Sequence, residues 1–332
     1  MSDPNADFQA PPPPPTTEVV QKRPPKNLRV AAIVLFVLGA ATIGAGLARV
    51  FPGGVGTGAA VAFLGIVLFA LSFISLPEPG PGDPEPMGTF ERLMGIFHEP
   101  TRVFRNLRAH PRWVAAVLVI ALLNVAYVAA FTQRLTPERI VNYTADKMAE
   151  TPFIPPEAVE QTREQGLQDA KSTVQRIGAG VKTIVGTIIL MCCLAALYLV
   201  VLLAFGGKIN FWQSLAVTVY AALPPVVISK LISFILLYIK SPDDIHPLMG
   251  QETLLQDNLG ILFSPKDHPV MFAMAASIGI LSFYRLWLTA TGLREGGQKV
   301  SKSAAWFAAI LLWVIGVILI VTVTAIFPSF IS

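Results

Sequence analysis

Side chains able to do chemistry are few in this sequence, and their spacing withholds the usual reactions. His98 and Glu99 stand together, but the second histidine of a zinc-binding HExxH helix is missing, and no Walker loop occurs. The four histidines fall in separate polar segments. Cys192 and Cys193 are the only cysteines, adjacent within an apolar run. Neighbouring residues rarely reach disulfide geometry, and two thiols without a nearby histidine or carboxylate make a poor metal site. They read as small buried residues. No catalytic residue, cofactor or metal is expected, and the chain reads as a non-enzyme.

What remains is charge set among apolar residues. Lys230 is the only charged residue between Lys208 and Lys240. It follows Pro224 and Pro225, neither of which has an N–H to donate, so a helix break is expected there with carbonyls left to find other partners. A charge at this depth is costly unless it faces protein or water, or snorkels outward. Lys230 is therefore either a polar contact for an ion or substrate, or a snorkelling lysine. Arg285, near the end of its span, reads as snorkelling. A second group lies at residues 88–112. Phe90, Leu93, Met94 and Phe97, then Val103, Phe104 and Leu107, recur at helical spacing, while Arg102, Arg105 and Arg108 fall on the other side. With Arg112 and Trp113, which takes an interface position, they form a belt of two amphipathic helices in the headgroup plane, with arginines near anionic lipid. A partner-binding surface is the alternative use of that belt.

The elements carrying these residues are membrane spans. Hydrophobic residues make up 53% of the 332-residue chain and charged ones 14%, with mean hydropathy +0.60, outside the range of a soluble domain. The fold class is all-α, a polytopic bundle of about seven spans. Residues 1–29 read as a proline-rich disordered tail ending in a basic cluster. Residues 30–48 and 55–76 form a hairpin of two spans, with Ala40, Gly44 and Ala48 as a small-residue ridge. A signal peptide ending at Ala48 is disfavoured by the second span that follows at once. Residues 77–87 alternate proline with glycine and acids, a linker marking a module boundary. The third span covers residues 113–131. Residues 132–182, with seven basic and seven acidic side chains, predict two helices split by prolines, the second running straight into a fourth span at 183–205. The bent fifth span, an acidic loop at 240–268, a sixth span at 269–290 and a seventh at 304–327 complete the chain. The net charge of +4 is modest, and its distribution beside apolar runs fits membrane orientation rather than nucleic-acid binding. Lys/Arg bias places the amino terminus inside and the carboxy terminus outside.

From Phe90 to the carboxy terminus, about three-quarters of the chain, the sequence resembles the Yip-domain (Ypt-interacting-protein) family in its bacterial form. The amphipathic opening to His110-Pro111-Arg112-Trp113, the hydrophilic insert, and Gly206-Gly207 with Phe211, Gln213, Leu215, Ala216, Tyr220 and Pro224 carry the likeness. Leu286-Trp287 and Gly292-Leu293 complete it. Ser282 departs from it, standing where an acidic residue is common, and the hairpin at 30–76 is additional to the five-span domain. The resemblance implies a protein of the bacterial inner membrane, and loosely a role in membrane organisation, since relatives bind Rab-type GTPases and shape or traffic membranes. A non-enzymatic scaffold or adaptor is the first reading, with the lipid bilayer, its anionic headgroups and other membrane proteins as partners. A secondary transporter using the bent fifth span and Lys230 is the second. Transporters often carry paired broken helices and internal repeats, and only one broken helix is legible.

Overall fold

The structure is a computed structural model describing residues 25–51, 53–77, 80, 82–151 and 153–330. The expectation for the proline-rich tail falls almost wholly outside these residues. Among those described, the protein is built of thirteen α-helices, and its only β pairing is an isolated bridge between Asn258 and Gly279. Six helices are long and apolar enough to cross a membrane. They are α1 (Lys26–Leu47), α2 (Gly54–Leu71), α5 (Val114–Leu135), α8 (Thr173–Ala204), α9 (Phe211–Ile239) and α13 (Lys302–Ile326). The short helices are α3 (Thr89–His98), α4 (Pro100–Ala109), α6 (Pro137–Ala149), α7 (Pro156–Lys171), α10 (Met249–Glu252), α11 (Pro269–Ala276) and α12 (Ile280–Gly296).

The expected sixth span is divided. Its two parts are α11 and α12, separated by residues 277–279, with Gly279 fully extended. Asp257 makes the division possible: its carbonyl accepts from the Ile280 amide and its carboxylate from the Leu281 amide at 2.7 Å. Leu259 N–H donates to the Ile278 carbonyl. The polar groups freed by the interruption thus find partners, as they must in apolar surroundings. Counting α11 and α12 as one interrupted crossing, the protein is an all-helical membrane bundle of about seven spans.

The fifth span is continuous, contrary to the expected break. α9 stays helical through Pro224 and Pro225. The prolines remove the amides that would have bonded the Tyr220 and Ala221 carbonyls. Enclosure keeps the segment helical all the same: residues 211–225 are buried without exception, packed against α5, α8 and α12. This is the central helix of the bundle, and Trp212, Leu215, Tyr220 and Leu223 are among its fully enclosed side chains. Its start is fixed by a capping box. Asn210 Oδ1 accepts from the Trp212 amide at 2.9 Å, and Gln213 Oε1 accepts from the Asn210 amide at 2.8 Å.

α1 and α2 form the expected hairpin, but through a different ridge. Ala40, Gly44 and Ala48 face outward, and a Cβ added at Gly44 would meet nothing within 4 Å. The contact runs along Ala32, Gly39 and Gly46, facing Gly65, Gly58 and Gly54. The seven-residue spacing on α1 keeps one seam on the partner helix, where small residues let backbones touch. The turn uses Gly53 at φ +73°, open to glycine and packed under the Gln175 side chain. α2 then docks on α8, where Gly178 leaves room for Thr57.

α7 does not run into the fourth span. It ends at Lys171, and Ser172, in extended conformation, caps α8 by accepting from the Gln175 amide.

Candidate functional site

Two polar regions sit at opposite ends of α9. At its start lies the basic belt, and its geometry changes the sequence reading. The apolar face of α4 is turned into the protein: Val103, Phe104 and Leu107 are fully enclosed. Phe104 occupies the space that Gly292 of α12 leaves beside Val217 of α9. Trp113, expected at a lipid interface, is buried in the same core, while Arg112 is exposed. The apolar stripe that reads as a lipid-facing surface on α4 is instead a helix–helix contact, a distinction periodicity alone does not make. On α3 the stripe is split: Leu93 and Phe97 are partly buried against the core, but Phe90 and Met94 are exposed.

The arginines are paired with carboxylates. Arg102 bridges Glu91 at 2.9 Å and Glu99 at 3.1 Å, Arg105 meets Glu295 of α12 at 2.8 Å, and Arg108 meets Asp83 at 3.0 Å. The Gly80 N–H first, and then the Arg108 guanidinium, hold the Asp83 carboxyl below its ordinary value. Arg102 and Arg105 keep more than half their side chains exposed, so such pairs contribute little stability. The linker is tied to α4 by more than Asp83. Asn106 accepts from the Met87 amide and donates to the Glu85 carbonyl at 2.6 Å. Gln213 donates to the Arg108 carbonyl at 2.7 Å, joining the α9 capping box to the belt. Gln213 was legible as part of the family-like run, but its role as a joint between α4 and α9 was not.

At the other end of α9, Lys230 is buried and does not snorkel. Its ammonium donates to the Glu252 carbonyl and lies 4.4 Å from the centre of the Tyr127 ring on α5. Tyr127 donates to the Gly250 carbonyl at 2.7 Å. Thr253 Oγ1 lies 3.0 Å from Ser229 Oγ and 2.9 Å from Ser233 Oγ, and Ser233 accepts from the Leu254 amide. One turn-spaced set of polar residues on α9 therefore holds residues 249–255 against the bundle. The acidic loop folds back onto Lys230. The serines at i−1 and i+3 of Lys230 were the sequence signal for this, since all three share a helix face.

The same loop meets the hydrophilic insert. Arg139 of α6 pairs with Asp243 at 3.1 Å, and Tyr143 lies against His246. His246 Nδ1 accepts from the amides of Leu248 and Met249, so Nε2 carries the proton and donates to the Tyr143 oxygen at 3.1 Å. Burial first, and then Lys147, push His246 below its ordinary value of 6.5. The fold thus favours the neutral ring. Its contribution is present above about pH 6.5 and is lost as pH falls through the lower folded value. On acidification from pH 7.5 to about pH 5, the Leu248 and Met249 amides should exchange faster than intrinsic chemistry accounts for. His246→Gln should abolish that extra dependence; its persistence in the variant would assign it to another group.

Among the described residues no group of three His, Cys, Asp or Glu is placed to hold a metal ion. Residues 94–323, well over half of the chain, match the Yip1 domain. No curated protein and no solved structure matches the chain. The protein belongs to the Yip1-domain family of integral membrane proteins.

Proposed function

We propose that this Yip1-domain protein is a non-enzymatic scaffold or adaptor that organises partners at the membrane. The observation that carries this reading is the commitment of Lys230 to the protein's own loop, through the Glu252 carbonyl and the Tyr127 ring. A transporter needs a polar site near the middle of the bilayer that opens to each side in turn. Here the most buried stretch of α9 is helical and closely packed, and the one lysine in its span serves a structural contact. The partners in this proposal are the bilayer, anionic headgroups facing Arg102 and Arg105, and other membrane proteins reaching the exposed side of α3. Basic residues at the belt and after α12 orient that end towards the cytoplasm of a bacterial inner membrane.

Solute flux into vesicles reconstituted with wild type or Lys230→Met tests the choice, alongside photocrosslinkers placed at Phe90 and Met94 in native membranes. The scaffold reading expects no Lys230-dependent flux and discrete crosslinks to membrane proteins. Flux that needs Lys230 would replace it with the transporter reading.

A further inference from the structure

Arg92, on α3, is 1% exposed, and its Nε and Nη1 atoms have no hydrogen-bond partner. Among the described residues no carboxylate pairs with it. The nearby acids are committed elsewhere: Glu91 and Glu99 to Arg102, Asp83 to Arg108, and Glu295 to Arg105. Its guanidinium lies beside the hydroxyl of Tyr220 on α9, which is also enclosed and also lacks a hydrogen bond of good geometry. An unpaired buried guanidinium is among the most unfavourable groups a fold can hold. Here seven charged residues are paired with one another while the enclosed cation is not. Donors left open on Arg92 and a hydroxyl left open on Tyr220 converge between α3 and α9.

We infer that Arg92 and Tyr220 form a binding site for a phosphate group. A guanidinium offers paired N–H donors matched to phosphate oxygens, and a phenol adds a third donor. α3 presents Arg92 to the bundle and Phe90 and Met94 to the outside. Phe90 and Met94 thus lie on the face of α3 opposite the site, so a phosphodiester and a free phosphate would use the same polar pair. Entry requires α3 to swing from α9, and α3 is bounded by Gly88 and by the non-helical Glu99. This inference depends on membrane residence but not on the scaffold reading, and it is tested by binding rather than by partners or flux.

The experiment uses the full chain in non-ionic detergent, titrated with short-chain phosphatidylglycerol, inorganic phosphate, and diacylglycerol of the same chain length. Phosphatidylglycerol is expected to bind, with affinity reduced roughly tenfold in Arg92→Met and less in Tyr220→Phe. Competition by inorganic phosphate would support the site with free phosphate as its source; failure to compete would support the lipid. Equal binding of diacylglycerol would overturn the inference, as would absence of binding by both phosphate probes. Affinity unchanged in the variants would overturn it too. If Arg92→Met fails to fold, Tyr220→Phe decides, since it removes only the hydroxyl.

Discussion

Gly58→Leu should open the amino-terminal hairpin. A Cβ at Gly58 would lie 2.6 Å from the Gly39 carbonyl oxygen and 2.7 Å from the Ile43 nitrogen. Both are backbone atoms of α1, so no rotamer change relieves the contact and the two helices must part. Separation loses the seam along Ala32, Gly39 and Gly46, whose close approach is what holds helices together in lipid. The expected loss is about 3 kcal/mol or more, at the upper end for overpacking a filled contact. Thermal unfolding in detergent and protease access to residues 49–53 would measure it. Gly44→Leu is the control, because nothing lies within 4 Å of a Cβ there. Equal melting temperatures for the two variants would refute the described seam.

Lys230→Met should release the loop at 249–255 while leaving the bundle inserted. Methionine fills much the same volume, but the Glu252 carbonyl loses its charged donor and Tyr127 its cation. Losing this part-buried, charge-assisted bond costs about 1–3 kcal/mol. The Ser233 and Thr253 hydroxyls keep their bonds to the Leu254 and Leu255 amides only while the loop is seated. Those amides should exchange about tenfold faster or more, the equivalent of ~1.4 kcal/mol. Tyr127→Phe, which removes the bond to the Gly250 carbonyl, should give a smaller change in the same amides. Unchanged exchange in both variants would show that the loop is held by its apolar residues, Ile245 and Leu254, alone.

The span count was readable because length and apolar composition decide it residue by residue, and α5, α8, α9 and α13 appear where hydropathy puts them. Three features were not readable for physical reasons. Pro224 and Pro225 predict a break from local backbone chemistry, but burial of residues 211–225 on every side outweighs it. The real interruption, at Gly279, depends on Asp257, more than twenty residues earlier. The belt's periodicity defines which side of α4 is apolar without saying whether lipid or α12 covers it. Lys230 shows the same limit. Its cost in an apolar setting was plain, but its acceptor is a main-chain carbonyl, and any residue type supplies one. Arg92 gave no signal in sequence, since periodicity on a short helix does not say that α9 will cover that face.

The contacts joining the residues just beyond α2 to the start of α9 also constrain how the protein is made. Trp212 Nε1 donates to the Ile74 carbonyl at 2.9 Å, and Asn210 Nδ2 to the Ser75 carbonyl at 3.0 Å, bonds that close intervals of 138 and 135 residues. During synthesis α1 and α2 leave the ribosome first and can pair at once through their glycine seam. The carbonyls just beyond α2 must then wait, hydrated or held by insertion machinery, until α9 has emerged. The nascent chain therefore has two assembly dates, an early one for the hairpin and a late one for its attachment, with the central helix as the clock.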